Sequence, residues 1–181
     1  MAVNDNEIVL PITEPETEWI LGRAVRKVSP RRTHGRLQAK LLVALCAWSE
    51  ARGEVASDWR FRPAPPGEPH RPLVPDVAFV TNERLRGLRG DELEMPLFSP
   101  DVAFEILSPR DEPERLRHKI EVYLSSGASL VAVVEPNDRS VALHDRDGVR
   151  ILRGDEVLTH RALPEFALPL PELFAVADPP R

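Results

Sequence analysis

Pro100-Asp101-Val102-Ala103-Phe104-Glu105-Ile106-Leu107-Ser108-Pro109 is the stretch on which the fold turns. Its first half repeats an earlier segment, Pro75-Asp76-Val77-Ala78-Phe79. Two copies are too few for a solenoid, so they read as neighbouring strands. Beyond Ser108-Pro109 the period becomes helical. Asp111 is placed as a cap, Pro113 falls in the first turn, Leu116, Ile120 and Tyr123 form one stripe, and Gly127 ends it. Leu130 to Glu135 is then a continuous apolar run of strand length. Strand, helix and buried strand in that order make a βαβ unit, with parallel strands and a right-handed crossover.

Upstream, Leu37, Leu41, Leu45 and Trp48 recur at helical spacing, which predicts a core helix over about 32–52 with Thr33 as its cap and Gly53 as its stop. Glu54 to Arg62 reads as a strand and Pro63 to Pro69 as a loop. Glu18 to Val28 reads as a strand pair turning at Leu21-Gly22. Between the repeats, Thr81 to Ser99 is polar and suits a long loop with a short helical turn. Downstream, Ser140 to His144 and Val149 to Arg153 are joined by a strong hairpin signal, Asp145 to Gly148. Pro-rich Leu163 to Phe174 reads as a rigid surface segment. These elements predict an α/β (α+β) fold, a mixed sheet flanked by helices with an N-terminal strand pair and a C-terminal β-hairpin added.

The 181 residues suit a single domain over 1–181, and 29 acids against 24 Lys plus Arg leave a charge of −5. That acidity argues against a protein that coats nucleic acid indiscriminately. The longest apolar run, Leu41 to Trp48, is too short to cross a bilayer, and Met1 to Leu10 has no basic or apolar signal region. A cytoplasmic protein without a membrane partner is expected. The single Cys46 excludes an internal disulfide and any multi-thiolate metal site, and its apolar segment suggests burial. Glycine-rich nucleotide loops, HExxH and the Gly-x-Ser-x-Gly elbow are all absent from the sequence. The five histidines, His34, His70, His118, His144 and His160, have no metal-ligand spacing and read as surface or loop residues.

Carboxylate chemistry remains. Side chains alternate along a strand, so Glu105 shares a face with Asp101, Ala103 and Leu107. Asp101 lies about 13 Å along the strand from Glu105, too far to share a metal with it. If the two repeats pair antiparallel, Asp76 comes beside Glu105 instead. Two such carboxylates repel unless a divalent cation sits between them, and Mg²⁺ is the natural candidate. Lys119 lies roughly 60° from the centre of the Leu116, Ile120, Tyr123 stripe, where its stem could reach that pair. The same spacing fits a lysine that snorkels at the helix boundary. No acid occurs between Trp19 and Ser49, while Arg23, Arg26, Lys27, Arg31, Arg32, Arg36 and Lys40 gather around the first helix start. That cluster suits phosphate, and it equally suits an ordinary solvated face.

Several of these residues also carry a resemblance. Glu18 with Gly22, Ser29-Pro30 with His34, Pro75-Asp76, Glu105-Ile106-Leu107-Ser108-Pro109, Lys119 with Tyr123 and Gly127, and Glu135-Pro136 resemble the Uma family of restriction-endonuclease-like proteins, within the PD-(D/E)XK nuclease superfamily. The likeness runs from about Thr17 to Leu173 and implies an αβββαβ core. It also implies Asp76 as first metal ligand, Glu105 as second and the Ile106 carbonyl as a further oxygen. The superfamily's lysine two residues after the acid would fall on Leu107; the resemblance moves it to Lys119 on the following helix. Glu18 and His34 are implied as accessory residues.

The expectation is therefore a Mg²⁺- or Mn²⁺-dependent endonuclease acting on DNA, with Asp76, Glu105 and Lys119 catalytic and Arg31, Arg32 and Arg36 holding the phosphate backbone. A homodimer is expected from the class. The alternative is a catalytically silent nuclease fold that serves as a nucleic-acid-binding or oligomeric interaction module.

Overall fold

A computed structural model describes residues 2–4, 6–27, 31–109 and 111–179. Two short hairpins come first, β1 (Ala2–Asn4) with β2 (Glu7–Val9) and β3 (Thr17–Ile20) with β4 (Arg23–Arg26). Helix α1 (Arg32–Ser49) leads to strands β5 (Gly53–Ser57) and β6 (Val77–Thr81). Two single-turn helices, α2 (Asn82–Leu85) and α3 (Asp91–Glu94), precede strand β7 (Val102–Ile106), helix α4 (Pro113–Ser125) and strand β8 (Leu130–Glu135). The chain closes with hairpin β9 (Ser140–Asp145) and β10 (Gly148–Leu152), the pair β11 (Val157–His160) and β12 (Leu163–Pro169), and helix α5 (Leu170–Ala175).

The central sheet has the order β10-β9-β8-β7-β6-β5. Strands β7 and β8 are parallel, the crossover made by α4, and every other neighbouring pair is antiparallel. The run α1-β5-β6-β7-α4-β8 is the expected αβββαβ core, and the expected strand pair and hairpin additions are both present.

Alternation along β7 separates two cores. Val102, Phe104 and Ile106 face α1, where Leu37, Leu41 and Leu45 are fully buried one helical turn apart. Ala103 and Glu105 face α4, with Ile120 and Tyr123 packed over Val131 and Val133. Each fully buried Leu or Phe contributes roughly 1.5–3 kcal/mol relative to an exposed position. The apolar α4 face thus surrounds a strand that carries a carboxylate in its middle.

Several local expectations need correction. Leu163 to Phe174 is not a surface segment: Leu163, Phe166, Leu168, Leu170, Leu173 and Phe174 are buried in the α1-side core. Strand alternation in β12 lets its prolines face out while these side chains face in. Trp48 fastens the segment, donating from Nε1 to the Pro164 carbonyl at 2.8 Å and stacking edge-on against Phe166. Thr33 lies inside α1, whose first turn has no side-chain cap. Asp111 precedes the α4 cap residue, Glu112, and accepts from the Ser108 N–H at 2.7 Å, closing the turn before the helix.

Cys46 is exposed, one residue past buried Leu45 and so about 100° off the core stripe. Strand β5 stops at Ser57, short of Arg62. Gly53 opens that strand rather than stopping α1, and a Cβ there would fall 2.0 Å from the Val80 carbonyl oxygen. The 81–99 stretch holds two helical turns rather than one. Val28 and the Ser29-Pro30 helix entry lie outside the described residues.

Candidate functional site

The register Val77↔Phe104, extended by one residue, sets Asp76 opposite Glu105. Asp76 is pinned across the strands: its N–H donates to the Phe104 carbonyl at 3.0 Å, and its Oδ2 accepts from the Ile106 N–H at 2.7 Å. Glu105 is buried against the α4 face. Lys119 Nζ lies 2.7 Å from its Oε1 and 2.9 Å from its Oε2, and the Tyr123 hydroxyl donates to Oε1 at 3.2 Å. Lys119 and Tyr123 are four residues apart on α4, hence on one face. The same ammonium lies 2.8 Å from Glu18 Oε1, which also accepts from the Val74 N–H at 2.8 Å.

A second lysine repeats the arrangement. Lys27, just beyond β4, sets its Nζ 2.8 Å from Asp76 Oδ1, 3.0 Å from Asp58 Oδ1 and 3.1 Å from the Val74 carbonyl oxygen. Gln38 on α1 donates from Nε2 to Asp58 Oδ2 at 2.7 Å and to the Asp76 carbonyl at 2.9 Å. His34, one turn earlier, places Nε2 3.1 Å from Asp76 Oδ2. Asp58 holds φ at +50°, a left-handed conformation that costs a residue with a Cβ about 1–2 kcal/mol. Each ammonium therefore bridges two carboxylates, Lys27 between Asp58 and Asp76, Lys119 between Glu18 and Glu105.

Burial and charge pull the two strand carboxylates apart. Burial opposes ionisation of Asp76, yet the Lys27 ammonium and His34 outweigh it and hold the carboxyl well below the usual range. Glu105 is pushed up to about 7, by burial first and then by the charges of Asp76 and Glu18; Lys119, which it shares with Glu18, offsets this only in part. Burial works against the charge on Lys27, Lys119 and His34, but neighbouring carboxylates raise all three above their ordinary values. Tyr123 is raised well above its usual value by burial and by Glu105, so its hydroxyl keeps its proton and donates.

The structure thus brings together Asp76, Glu105, Lys119, Glu18 and His34, with Ile106 bound to Asp76 through its N–H. His34 is consequently half-buried against a carboxylate rather than a surface residue, because α1 turns that face toward the end of β6. His160 is likewise paired, with Asp145 at 3.0 Å. The three arginines lie elsewhere. Arg31 is exposed at the helix start, Arg32 donates to the Ala177 and Asp178 carbonyls, and Arg36 donates to the Val176 carbonyl at 2.6 Å. Among the described residues, no group of three or more His, Cys, Asp or Glu side chains is arranged around a common metal position.

Lys27, Asp58, Gln38 and Tyr123 were not expected at the site. Tyr123 stands four residues from Lys119, a spacing that could have found it. Lys27 and Asp58 follow strand ends at places where no periodicity operates.

Apart from Tyr123, these groups line a cavity of about 680 Å³, which residues 12–16 and Leu107, Ser108, Asp111, Glu112, Arg115 and Leu116 also wall. The sheet order and flanking helices define a restriction-endonuclease-like fold. A crystal structure of a putative nuclease belonging to DUF820 from Anabaena variabilis ATCC 29413 has the same fold, with a TM-score of 0.82, 20% identity, and coverage of 93% of this chain and 94% of that chain. The chain belongs to the Uma2 family, described as "Putative restriction endonuclease", whose model matches residues 9–171. No curated protein matches the sequence. Among the described residues, no helix is long and apolar enough to cross a membrane.

Proposed function

We propose that the protein is a divalent-metal-dependent nuclease that hydrolyses phosphodiester bonds of DNA at the Asp76, Glu105 and Lys119 centre. The observation that carries this reading is the convergence of four acids, three of them buried, and two ammonium groups from six separate places in the chain beside one cavity. Four carboxylates, Glu18, Asp58, Asp76 and Glu105, meet only two lysines there. When Glu105 is ionised and His34 neutral, the acids outnumber the lysines by two, with Glu18, Asp76 and Glu105 buried and Asp58 exposed, which fits one hard, oxygen-seeking cation such as Mg²⁺ or Mn²⁺.

Asp76 and Glu105 would hold that cation, with the Ile106 carbonyl as a further oxygen. A divalent cation bound there polarises a phosphodiester and lowers the pKa of bound water. The protein's own groups do the rest. Lys119 stabilises the charge that develops on the phosphoryl oxygens. Tyr123 orients Glu105 by hydrogen bonding, and His34 with the Ile106 N–H orients Asp76. Lys27 neutralises Asp76 and is held in place by Asp58.

The nicking of supercoiled plasmid in Mg²⁺ or Mn²⁺ tests this reading. Wild type is expected to nick, and Asp76→Ala and Lys119→Ala to fall to background; equal activity in all three overturns it. One observation favours the second reading, a silent binding module. The carboxylates of Asp76 and Glu105 are both hydrogen-bonded and ion-paired within the chain itself. A silent module would show no thermal stabilisation by millimolar Mg²⁺ or Mn²⁺, whereas the nuclease gains stability through Asp76 and Glu105.

A further inference from the structure

The acids proposed to act on the phosphodiester are difficult for a double helix to reach. Asp76, Glu105 and Lys119 are only 4%, 7% and 6% exposed. The wall formed by residues 12–16 is tied down rather than free: Arg26 donates to the Glu14 carbonyl at 2.8 Å, Thr13 and Thr17 hydroxyls meet at 2.7 Å, and Glu16 is ion-paired with buried Arg60. A substrate must therefore enter the cavity.

The charge of the cavity selects among nucleic acids. Eight acids and four Lys or Arg side chains line it, together with His34. Three of the four cations are ion-paired: Lys27 and Lys119 each bridge two carboxylates and Arg115 pairs with Glu112 at 2.7 Å, while exposed Arg26 donates to the Glu14 backbone carbonyl. Duplex DNA carries a charge every 1.7 Å or so of its axis, and it binds proteins through lysines and arginines that track both strands. This lining offers no such track, and Glu14, Asp58 and Glu112 would meet the phosphates of a second strand. At the first helix, Arg32 and Arg36 are turned onto the carbonyls of residues 176–178, which leaves Arg31 as the exposed arginine of that start.

What the cavity does offer is room and apolar wall. A volume of about 680 Å³ lies within the range of pockets that enclose one small ligand. Ile12, Val25, Leu107 and Leu116 give surfaces against which the face of a base can lie. A single strand can bend its backbone to bring a phosphodiester into such a recess while a base lies on the wall, which a stiff paired helix cannot do without unpairing.

We propose that this site acts on unpaired DNA, admitting one strand and one or two nucleotides of it at a time, and discriminates against intact duplex. The inference rests on the nuclease reading given above. The test uses one fluorescent DNA sequence as a single strand, as a blunt duplex and as a duplex with a short central mismatch bubble. Each is incubated with the full chain and Mn²⁺, with Asp76→Ala as the background. Single strand and bubble are expected to be cut at least about tenfold faster than blunt duplex, with bubble cuts confined to the unpaired segment. Blunt duplex cut as fast as single strand, with that cutting lost in Asp76→Ala, overturns the inference and leaves the nuclease reading standing. No cutting of any substrate above the Asp76→Ala background overturns the nuclease reading and the inference with it.

Discussion

Asp76 and Asp101 occupy the same place in two identical pentapeptides, and the fold sends them to opposite ends of one antiparallel strand pair. Asp76 arrives at the end where Glu105 leaves β7, α4 presents Lys119 and the chain after β4 presents Lys27. Asp101 arrives at the other end. There its Oδ2 accepts from the Thr81 N–H at 2.8 Å, and its Oδ1 lies 3.0 Å from Arg84, whose guanidinium stacks over Phe98. One aspartate enters a cluster of four carboxylates and two lysines; the other closes the start of a helical turn with a single matched cation. The chemistry of each follows from what the neighbouring strand and helices bring to its end, and not from the five residues around it.

The comparison breaks most visibly at the aspartates themselves. Asp76→Ala is expected to lower metal-dependent cleavage by about a thousandfold or more. Asp101→Ala should keep the rate per folded molecule and lose about 1–3 kcal/mol of stability, because the Thr81 N–H loses its acceptor. Cleavage rates set beside urea unfolding separate the two, and an inactive but fully stable Asp101→Ala would contradict the contrast.

The paired cations come next. Lys119→Ala strands Glu105 and Glu18 in the core and is expected to cost about 3–5 kcal/mol in metal-free protein at pH 8. Arg84→Ala, at a half-exposed pair, should cost about 1 kcal/mol or less. Chemical denaturation of both variants in chelator gives the comparison, and equal losses would contradict it.

Proton linkage sharpens the contrast further. The folded protein keeps the Glu105 proton up to about pH 7, whereas the unfolded chain releases it near its ordinary value of 4.5. Between those values the folded state binds more protons at Glu105, so the Glu105 contribution to metal-free stability should fall as pH rises through that window and stop changing above it. Glu105→Gln should remove this slope, measured by unfolding midpoints across the pH range. An unchanged slope would place the titrating group elsewhere.

The smallest effect concerns Lys27. Removing its ammonium frees Asp76 Oδ1, so Lys27→Met is expected to bind Mn²⁺ up to about tenfold more tightly by calorimetry. Unchanged or weaker binding would mean that Lys27 is not a competitor for that oxygen.

Much of the sheet was legible because strong, periodic signals governed it. The helical stripe of α1, the βαβ unit through α4 and the β9-β10 turn were set by local chemistry, and the duplicated pentapeptide named the central strand pair. In the tail, prolines that suit a surface segment mask the alternation of Leu163, Phe166 and Leu168, which β12 buries beside Trp48. At the site, Glu105 stands out as a carboxylate set among apolar residues, the pairing of the repeats brings in Asp76, and Lys119 is picked out by the family resemblance, since its spacing alone also fits a snorkelling lysine. Lys27 and Asp58 do not stand out, because each is brought in by a chain segment with no period of its own, and Asp58 by a left-handed backbone that aspartate tolerates without announcing it. Arg32 and Arg36 formed a conspicuous basic cluster, yet their partners lie some 140 residues away in the C-terminal segment, beyond the reach of any local pattern.

The most direct test of the central claim is an anomalous-scattering measurement on crystals of the protein soaked in Mn²⁺. A peak within about 2.5 Å of carboxylate oxygens of both Asp76 and Glu105, with Lys27 displaced from Asp76 Oδ1, is the result expected. A map without that peak at saturating Mn²⁺, with Lys27 and Lys119 still seated on the two carboxylates, would contradict it.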